Sequence, residues 1–117
     1  AVKVLSENRL AGQVAVVAQD ADLAACQRIV EGTQTMTVYK PIEQEAATAA
    51  TLAVALGRGE DISSSDCDYP VVETTNDGGF DIPYYKITPV AVTKENMDEV
   101  IVDGGFHTHE DVYLNVK

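Results

Sequence analysis

Two charged side chains, Asp20 and Lys40, stand where two predicted strands end. Val14–Ala18 is an uninterrupted apolar run, which is typical of a strand covered on both faces in a parallel sheet. Thr35–Tyr39 alternates and is rich in β-forming residues, which predicts the next strand. In open α/β sheets, ligands bind beyond the carboxyl ends of the strands. The Asp20 carboxylate as acceptor and the Lys40 ammonium as donor could therefore hydrogen-bond adjacent hydroxyl groups of a sugar.

The alternative interpretation gives both residues a structural role. Asp20 stands directly before Ala21–Glu31, a predicted helix that ends at Gly32, so it is placed to cap that helix. Lys40 would then be an ordinary surface residue. A strand–helix–strand unit of this length predicts parallel strands joined by a right-handed crossover. Spacing alone leaves both interpretations open. The apolar stripe of the predicted helix consists of Leu23, Cys26, Ile29 and Val30.

Other groups of chemically active residues are less convincing as sites. A metal site could be drawn from His107, His109, Glu110 and Asp111, but no further ligand is in view, which favours a polar surface tail. The acidic loop of Asp61, Asp66 and Asp68 lacks the ordered spacing and the glycine of a calcium loop. A solvated loop is therefore the prediction for that segment.

The sequence offers no signature of an enzyme or of a cofactor site. No GxSxG motif accompanies the histidines, and Asn76–Gly79 predicts a turn without the lysine of a phosphate loop. Cys26 and Cys67 have no metal-type spacing. Cys26 is predicted to be a small core residue, and a disulfide between the two has no support in their spacing. We expect no catalytic, cofactor or metal site.

Composition limits the classes of partner. The chain has 117 residues, 45% of them hydrophobic, which fits one folded domain of modest size. Eight Lys and Arg residues face 19 Asp and Glu residues, for a formal net charge of −11. Without a basic stripe, binding to nucleic acid or to an anionic membrane surface is not expected.

Beyond Lys40 the pattern changes. Pro41 ends the strand, and Glu43–Leu56 predicts a helix whose many alanines indicate close packing against a sheet. Glu60–Asp81 is predicted to be mostly loop. Tyr84–Val92 predicts a strand that Pro89 makes peripheral or bent. The helical alanine face consists of Ala46, Ala49, Ala50 and Ala53, with Leu56 at the same spacing.

The last quarter of the chain predicts one helix and one strand. Thr93 is expected to cap a short helix. Asn96 stands where a capping box would have Glu or Gln, so a cap without the reciprocal bond is predicted. Val112–Val116 has some strand character.

The segment AQDADLAACQRIVEGTQTMTVYKPI closely resembles the corresponding part of periplasmic sugar-binding proteins of the xylose type. These are the solute-binding subunits of ABC importers in the ribose/galactose-binding family. The resemblance continues through AATAATLAVAL and through IPYYKITPVAVTKENMDEVIVDGGFHTHEDVY to the end of the chain. By this resemblance Asp20 and Lys40 hydrogen-bond sugar hydroxyl groups. Ala18 stands where relatives usually have glycine. Its added methyl group is expected to leave less room around the backbone near the sugar.

The resemblance also implies a fold and a domain organisation. The expected class is α/β: a partial Rossmann-like three-layer sandwich of the type I periplasmic-binding-protein fold, with three to four strands and three helices. The chain resembles only the C-terminal part of such a protein. Residues 1–40 would belong to the second lobe, residues 41–92 to the first lobe, and residues 93–117 would cross back as a terminal helix and tail.

Partners and location follow from the same resemblance. The implied ligand is a xylose-like monosaccharide, and the implied protein partners are the remaining N-terminal part of the binding protein and the ABC permease subunits. A chain that represents only part of two lobes is expected to expose the apolar surfaces of Val14–Ala18 and of the alanine helix. A symmetric homodimer with a continuous sheet is an alternative way to cover these surfaces. The implied location is periplasmic or extracellular, with a membrane tether in Gram-positive bacteria. The competing hypothesis is a stand-alone interaction or sensor module that uses this fold without transport.

Overall fold

The computed structural model describes residues 1–116, which form two units. The first unit combines Ala1–Lys40 with the residues from Pro89 onward, and the second unit is Pro41–Thr88. None of the helices in the described residues is both long enough and apolar enough to cross a bilayer. In chain order the elements are α1 (Val2–Glu7), α2 (Leu23–Glu31), β1 (Thr37–Tyr39), α3 (Ile42–Gly57), β2 (Glu73–Asn76), β3 (Asp81–Tyr84), β4 (Val90–Val92), a π-helical turn (Asp98–Val102) and α4 (His109–Val112).

Strand β1 has a backbone neighbour on each side. On one side it pairs antiparallel with β4, with Val38 opposite Ala91. On the other side an isolated parallel bridge joins Val17 to Met36. The predicted parallel arrangement of the two segments is therefore confirmed. Strand β4 lies in the first unit, although the sequence placed it in the middle segment 41–92.

The expected exposure of Val14–Ala18 is confirmed, whereas the cover on both faces that the apolar pattern indicates is absent from the described residues. Within the described residues this run forms a single bridge rather than a regular strand. The side chains of Val14 and Val17 are 45% and 68% exposed. The apolar run follows the parallel-sheet pattern, but here it has one backbone neighbour and an open outer edge.

Helix α2 supplies one wall of the core of the first unit. Its predicted apolar stripe is confirmed, since Cys26, Ile29 and Val30 are fully or almost fully buried. The pKa of the Cys26 thiol is raised to about 11, first by burial and second by the nearby Asp22 carboxylate. Cys26 and Cys67 are both free thiols. The stripe packs in one cluster with Ala21, Val92, Met97, Ile101 and Val112.

The N-cap of α2 is Asp22, which corrects the prediction of Asp20. The Asp22 carboxylate accepts a hydrogen bond from the Ala25 N–H at 2.6 Å, and the helix begins at Leu23. Gly32 ends it with φ of +83°, as predicted. Two aspartates two residues apart both satisfy the local capping rule, so the sequence pattern did not distinguish them. The Asp20 side chain is therefore not used as a cap.

The segment after β4 turns through an unusual helix. Asn96 Oδ1 accepts a hydrogen bond from the Thr93 N–H at 2.8 Å, so the reciprocal bond predicted to be missing is present. The predicted helix forms only the π-helical turn Asp98–Val102, whose N-cap is Met97 rather than the predicted Thr93. Gly104 follows it closely, and a Cβ at that position would overlap the carbonyl oxygen of Val100. This tight return leads the chain to Phe106 and His107.

The predicted strand at 112–116 is wrong, because α4 ends at Val112 and no strand follows it in the described residues.

The second unit contains α3 and an antiparallel hairpin. The predicted helix is confirmed, and so is the expected exposure of its alanine face, with Leu56 59% exposed. Close packing of this face against a sheet is absent from the described residues. Buried positions of α3 are Thr48 and Ala55. Strands β2 and β3 pair around the predicted turn, whereas the sequence indicated loop. Asp77 accepts hydrogen bonds from the N–H groups of Phe80 and Gly79, which lower the pKa of its carboxyl.

Asp22→Ala should lower the free energy of unfolding by about 1 kcal/mol, because it leaves the first turn of α2 without its cap. Asp22→Asn should stay close to the native value, since Asn caps equally well. Asp20→Asn serves as the position control. Urea denaturation followed by circular dichroism measures all three. An Asp20→Asn loss as large as that of Asp22→Ala would contradict this assignment.

Candidate functional site

Asp20 and Lys40 meet at the carboxyl ends of the two parallel segments. The Nζ atom of Lys40 lies 2.7 Å from Oδ1 of Asp20. The Lys40 side chain is 35% exposed and the Asp20 side chain is 67% exposed, so the ion pair is open to solvent on one side. The structure thus brings together the two residues that the sequence singled out. An accepting carboxylate and a donating ammonium lie within one hydrogen-bond length of each other.

The parallel backbone pairing positions this ion pair. The Ala18 N–H donates to the Met36 carbonyl at 3.2 Å, and the Asp20 N–H donates to the Val38 carbonyl at 3.0 Å. The second bond places Asp20 two residues from Lys40 across the pairing. The ladder therefore fixes which residue of one segment faces which residue of the other.

Asp20 has a left-handed backbone, with φ of +70°. This conformation costs an ordinary L-residue about 1–2 kcal/mol, and aspartate is among the residues that tolerate it better. The Asp20 carbonyl accepts a hydrogen bond from the Thr37 hydroxyl at 2.6 Å, and Thr37 is fully buried. Backbone outliers held in place by surrounding contacts are concentrated at ligand sites. The geometry at Asp20 is consistent with such a site.

Two aromatic residues late in the chain, Phe106 and His107, contact the residues next to the ion pair. The ring of Phe106 lies 4.9 Å from that of Tyr39, the neighbour of Lys40. His107 Nε2 lies 2.9 Å from the carbonyl oxygen of Ala21, the neighbour of Asp20. Sequence reasoning did not connect Phe106 or Thr37 with this site, and it considered His107 only as a metal ligand. No local pattern signals contacts between residues 86 positions apart.

The remaining candidates of the sequence are separated or engaged otherwise. His109 stacks on Tyr113 at 4.4 Å, whereas His107 contacts Ala21. Asp61 accepts hydrogen bonds from the backbone N–H and hydroxyl of Ser63, which lower the pKa of its carboxyl. In residues 1–116 no three His, Cys, Asp or Glu side chains converge as metal ligands do. Asp20 and Lys40 are the predicted residues that form a paired arrangement.

The ion pair should contribute little to folding, because it is partly exposed. Asp20→Asn and Lys40→Met should each change the free energy of unfolding by less than about 1 kcal/mol, and a double-mutant cycle should give a coupling of about 0.2–1 kcal/mol that weakens with salt. Urea denaturation at low and high salt measures both quantities. A coupling of several kcal/mol would instead assign the pair a structural role.

Comparison with known proteins identifies the family. The sequence profile of the periplasmic binding protein domain matches residues 1–61. The D-xylose-binding periplasmic protein of Haemophilus influenzae is 46% identical over 113 residues, which cover 97% of this chain and 32% of the relative. The protein of the same name from Escherichia coli is 44% identical, over 96% of this chain and 32% of the relative. The chain thus spans about a third of the length of these curated relatives.

Solved structures agree on the fold. A carbohydrate transporter solute-binding protein from Chloroflexus aurantiacus, in complex with D-glucose, superposes with a TM-score of 0.70 at 32% identity, over 82% of this chain and 26% of that protein. An ABC transporter solute-binding protein from Clostridium phytofermentans, with bound β-D-glucose, gives a TM-score of 0.64 at 21% identity, over 83% and 29%. The predicted α/β class and partial periplasmic-binding-protein fold are confirmed. The chain belongs to the periplasmic binding protein family, and it covers about a third of the length of its curated relatives.

Proposed function

We propose that this chain forms part of the sugar site of a binding protein that serves a bacterial ABC-type sugar importer, with xylose or a related monosaccharide as ligand. The observation that carries the proposal is the 2.7 Å pair of Lys40 and Asp20 at the carboxyl ends of adjacent parallel segments. Its support from comparison is the 44–46% identity to proteins named for binding D-xylose. The location that goes with this function is periplasmic or extracellular, with a membrane tether where a bacterium has no periplasm.

The chemistry of the pair suits recognition of neutral sugar hydroxyl groups. The Asp20 carboxylate accepts protons from hydroxyl groups, and the Lys40 ammonium donates to a hydroxyl oxygen. Such charge-assisted hydrogen bonds are stronger than those between neutral groups. The two charges neutralise each other, so a neutral ligand can replace water around them without leaving an isolated charge in the site. The relatives' names describe binding, and the proposed role is binding without covalent chemistry.

Two side chains cannot enclose a sugar, so other parts of the protein must complete the site. Ligand pockets bury most of their ligand's surface. We therefore assign residues 1–40 and 93–117 to one lobe and residues 41–92 to the other, with the missing walls supplied by the remainder of the binding protein. The division of the structure at Lys40/Pro41 supports the first of these boundaries. The second division, at Thr88/Pro89, lies a few residues before the proposed boundary and leaves β4 with the first unit. On its own, the chain is expected to bind monosaccharide weakly or not at all.

The open edge of the first unit is the proposed docking surface for that remainder. A groove of about 530 Å³ runs along Val16–Ala18, where Val17 is 68% exposed. Exposed parallel edges with apolar side chains favour pairing with a further strand. Relatives three times longer contain the chain that would cover it. When the remainder is absent, a second copy of this chain is the expected occupant, which gives a homodimer.

Sugar affinity tests the proposed function. The chain should be joined in place of the matching residues of the Escherichia coli D-xylose-binding protein, and xylose binding measured by calorimetry with arabinose, glucose and galactose as competitors. Asp20→Asn and Lys40→Met should each raise Kd for xylose about 10–100-fold, because a hydrogen bond to a charged group contributes roughly 1.5–3 kcal/mol.

The matched controls are Asp22→Asn, which removes a carboxylate two residues away, and Lys94→Met, which removes an exposed ammonium of the same unit. Both should leave Kd unchanged. Affinities of Asp20→Asn and Lys40→Met equal to those of the controls would contradict the assignment. A chimera that folds but binds no monosaccharide would favour the stand-alone interaction or sensor module.

Self-association tests the docking surface. Light scattering on the chain alone should show a mass that rises with concentration, because the edge at Val17 is open. Val17→Lys should shift the association to at least about tenfold higher concentration, since charges on an edge strand oppose pairing. Val72→Lys, at another exposed valine, is the control and should have little effect. A monomer at high concentration would contradict this surface.

A further inference from the structure

Two consecutive carbonyl groups beside the ion pair are each held by a side chain from elsewhere in the fold. The Thr37 hydroxyl donates to the Asp20 carbonyl at 2.6 Å. The His107 ring, through Nε2 at 2.9 Å, reaches the Ala21 carbonyl. We call Thr37 and His107 the carbonyl clamp. Thr37 is fully buried and Ala21 is 3% exposed, so water cannot readily replace these bonds.

The backbone needs such support at this point. The parallel ladder ends at Asp20, whose N–H makes the bond to Val38, and helix α2 begins only after its cap Asp22. Between them the chain turns through the left-handed conformation of Asp20, with φ of +70°. The direction in which the Asp20 carboxylate leaves the backbone depends on that φ. The bond from the Asp20 N–H restrains the backbone before its Cα, and the bonds to the Asp20 and Ala21 carbonyls restrain the backbone after it. Together these contacts limit where the carboxylate can lie.

The end of the chain contacts the backbone next to both charges. His107 contacts Ala21, which follows Asp20, and Phe106 packs on Tyr39, which precedes Lys40. The rings of Phe106 and His107 are themselves 4.4 Å apart. The N–H groups of both residues donate to the Ile101 carbonyl, at 2.9 and 3.3 Å. One hydrogen-bonded turn thus contacts the residue after Asp20 and the residue before Lys40.

We propose that Thr37 and His107 are positioning residues, which set the geometry of the Asp20–Lys40 pair and thereby its affinity for the sugar. The effect on sugar affinity rests on the proposed function, whereas the effect on the pair does not. A carbonyl only accepts, so Nε2 of His107 must carry a proton. The neutral Nε2–H tautomer and the imidazolium both satisfy this requirement, and the clamp holds in either state.

The first test needs no variant. Nitrogen-15 NMR of the native chain distinguishes the two imidazole tautomers. The neutral ring of His107 should carry its proton on Nε2, with slowed exchange of that proton because it is bonded to Ala21. A ring protonated on Nδ1 alone would overturn the role of His107.

The second test measures the ion pair directly in this chain. The carbon-13 resonance of the Asp20 carboxyl should move when Lys40→Met removes the ammonium. When Thr37→Val or His107→Leu has already removed a donor, adding Lys40→Met should no longer move the Asp20 carboxyl resonance. The displacement should persist in Thr37→Ser and His107→Gln, which keep a donor. Val112→Ala is the control, because it weakens the buried core without touching either carbonyl.

The third test measures xylose affinity in the chimera. Thr37→Val and His107→Leu should raise Kd about tenfold, by analogy with the loss seen when hydrogen-bonded supports of metal ligands are removed. Thr37→Ser and His107→Gln should stay within about threefold of native, and Val112→Ala should not change Kd.

The outcomes separate the two proposals. A carboxyl displacement that persists in Thr37→Val and His107→Leu overturns the clamp, whatever the sugar affinity. Loss of the displacement in a folded chimera that binds no sugar overturns the proposed function and leaves the clamp supported. Loss of sugar affinity in Val112→Ala equal to that in the clamp variants would reduce Thr37 and His107 to a purely structural role.

Discussion

The parallel backbone pairing between residues 16–20 and residues 35–38 is the constraint on which the candidate site depends. Its last bond, from the Asp20 N–H to the Val38 carbonyl, fixes the register of the two segments. A shift of one residue would turn every side chain to the other face. The 2.7 Å contact between Lys40 and Asp20 is a consequence of that register. Strand β4 pairs with the other edge of β1, and its Val92 packs in one buried cluster with Cys26 and Ile29 of helix α2.

Local patterns predicted the elements of this unit well. The alternation at 35–39, the apolar stripe of α2 and the stop at Gly32 depend on neighbours within one or two turns, and the structure confirms them. The cap was misplaced by two residues, because Asp20 and Asp22 satisfy the same local rule. The prediction that two charges meet at the carboxyl edge required only strand direction and length, and the ion pair is present.

What sequence patterns missed depends on contacts between distant residues. The exposed face of α3 and the open edge at Val17 are decided by what packs against them, and a pattern of apolar residues does not say whether that neighbour is present. The contact of His107 with Ala21 likewise joins residues that are 86 positions apart in the sequence. An HxH pair in isolation resembles a metal motif, yet the structure gives its two rings different neighbours.

Direct contact of Asp20 and Lys40 with the sugar is the central feature of the proposed site. A crystal structure of the xylose complex, in the chimera or in a longer protein that carries this segment, tests it most directly. We expect the Asp20 carboxylate and the Lys40 ammonium each to lie about 2.6–3.2 Å from a sugar hydroxyl oxygen. A sugar bound elsewhere, with both side chains still surrounded by water, would contradict the account.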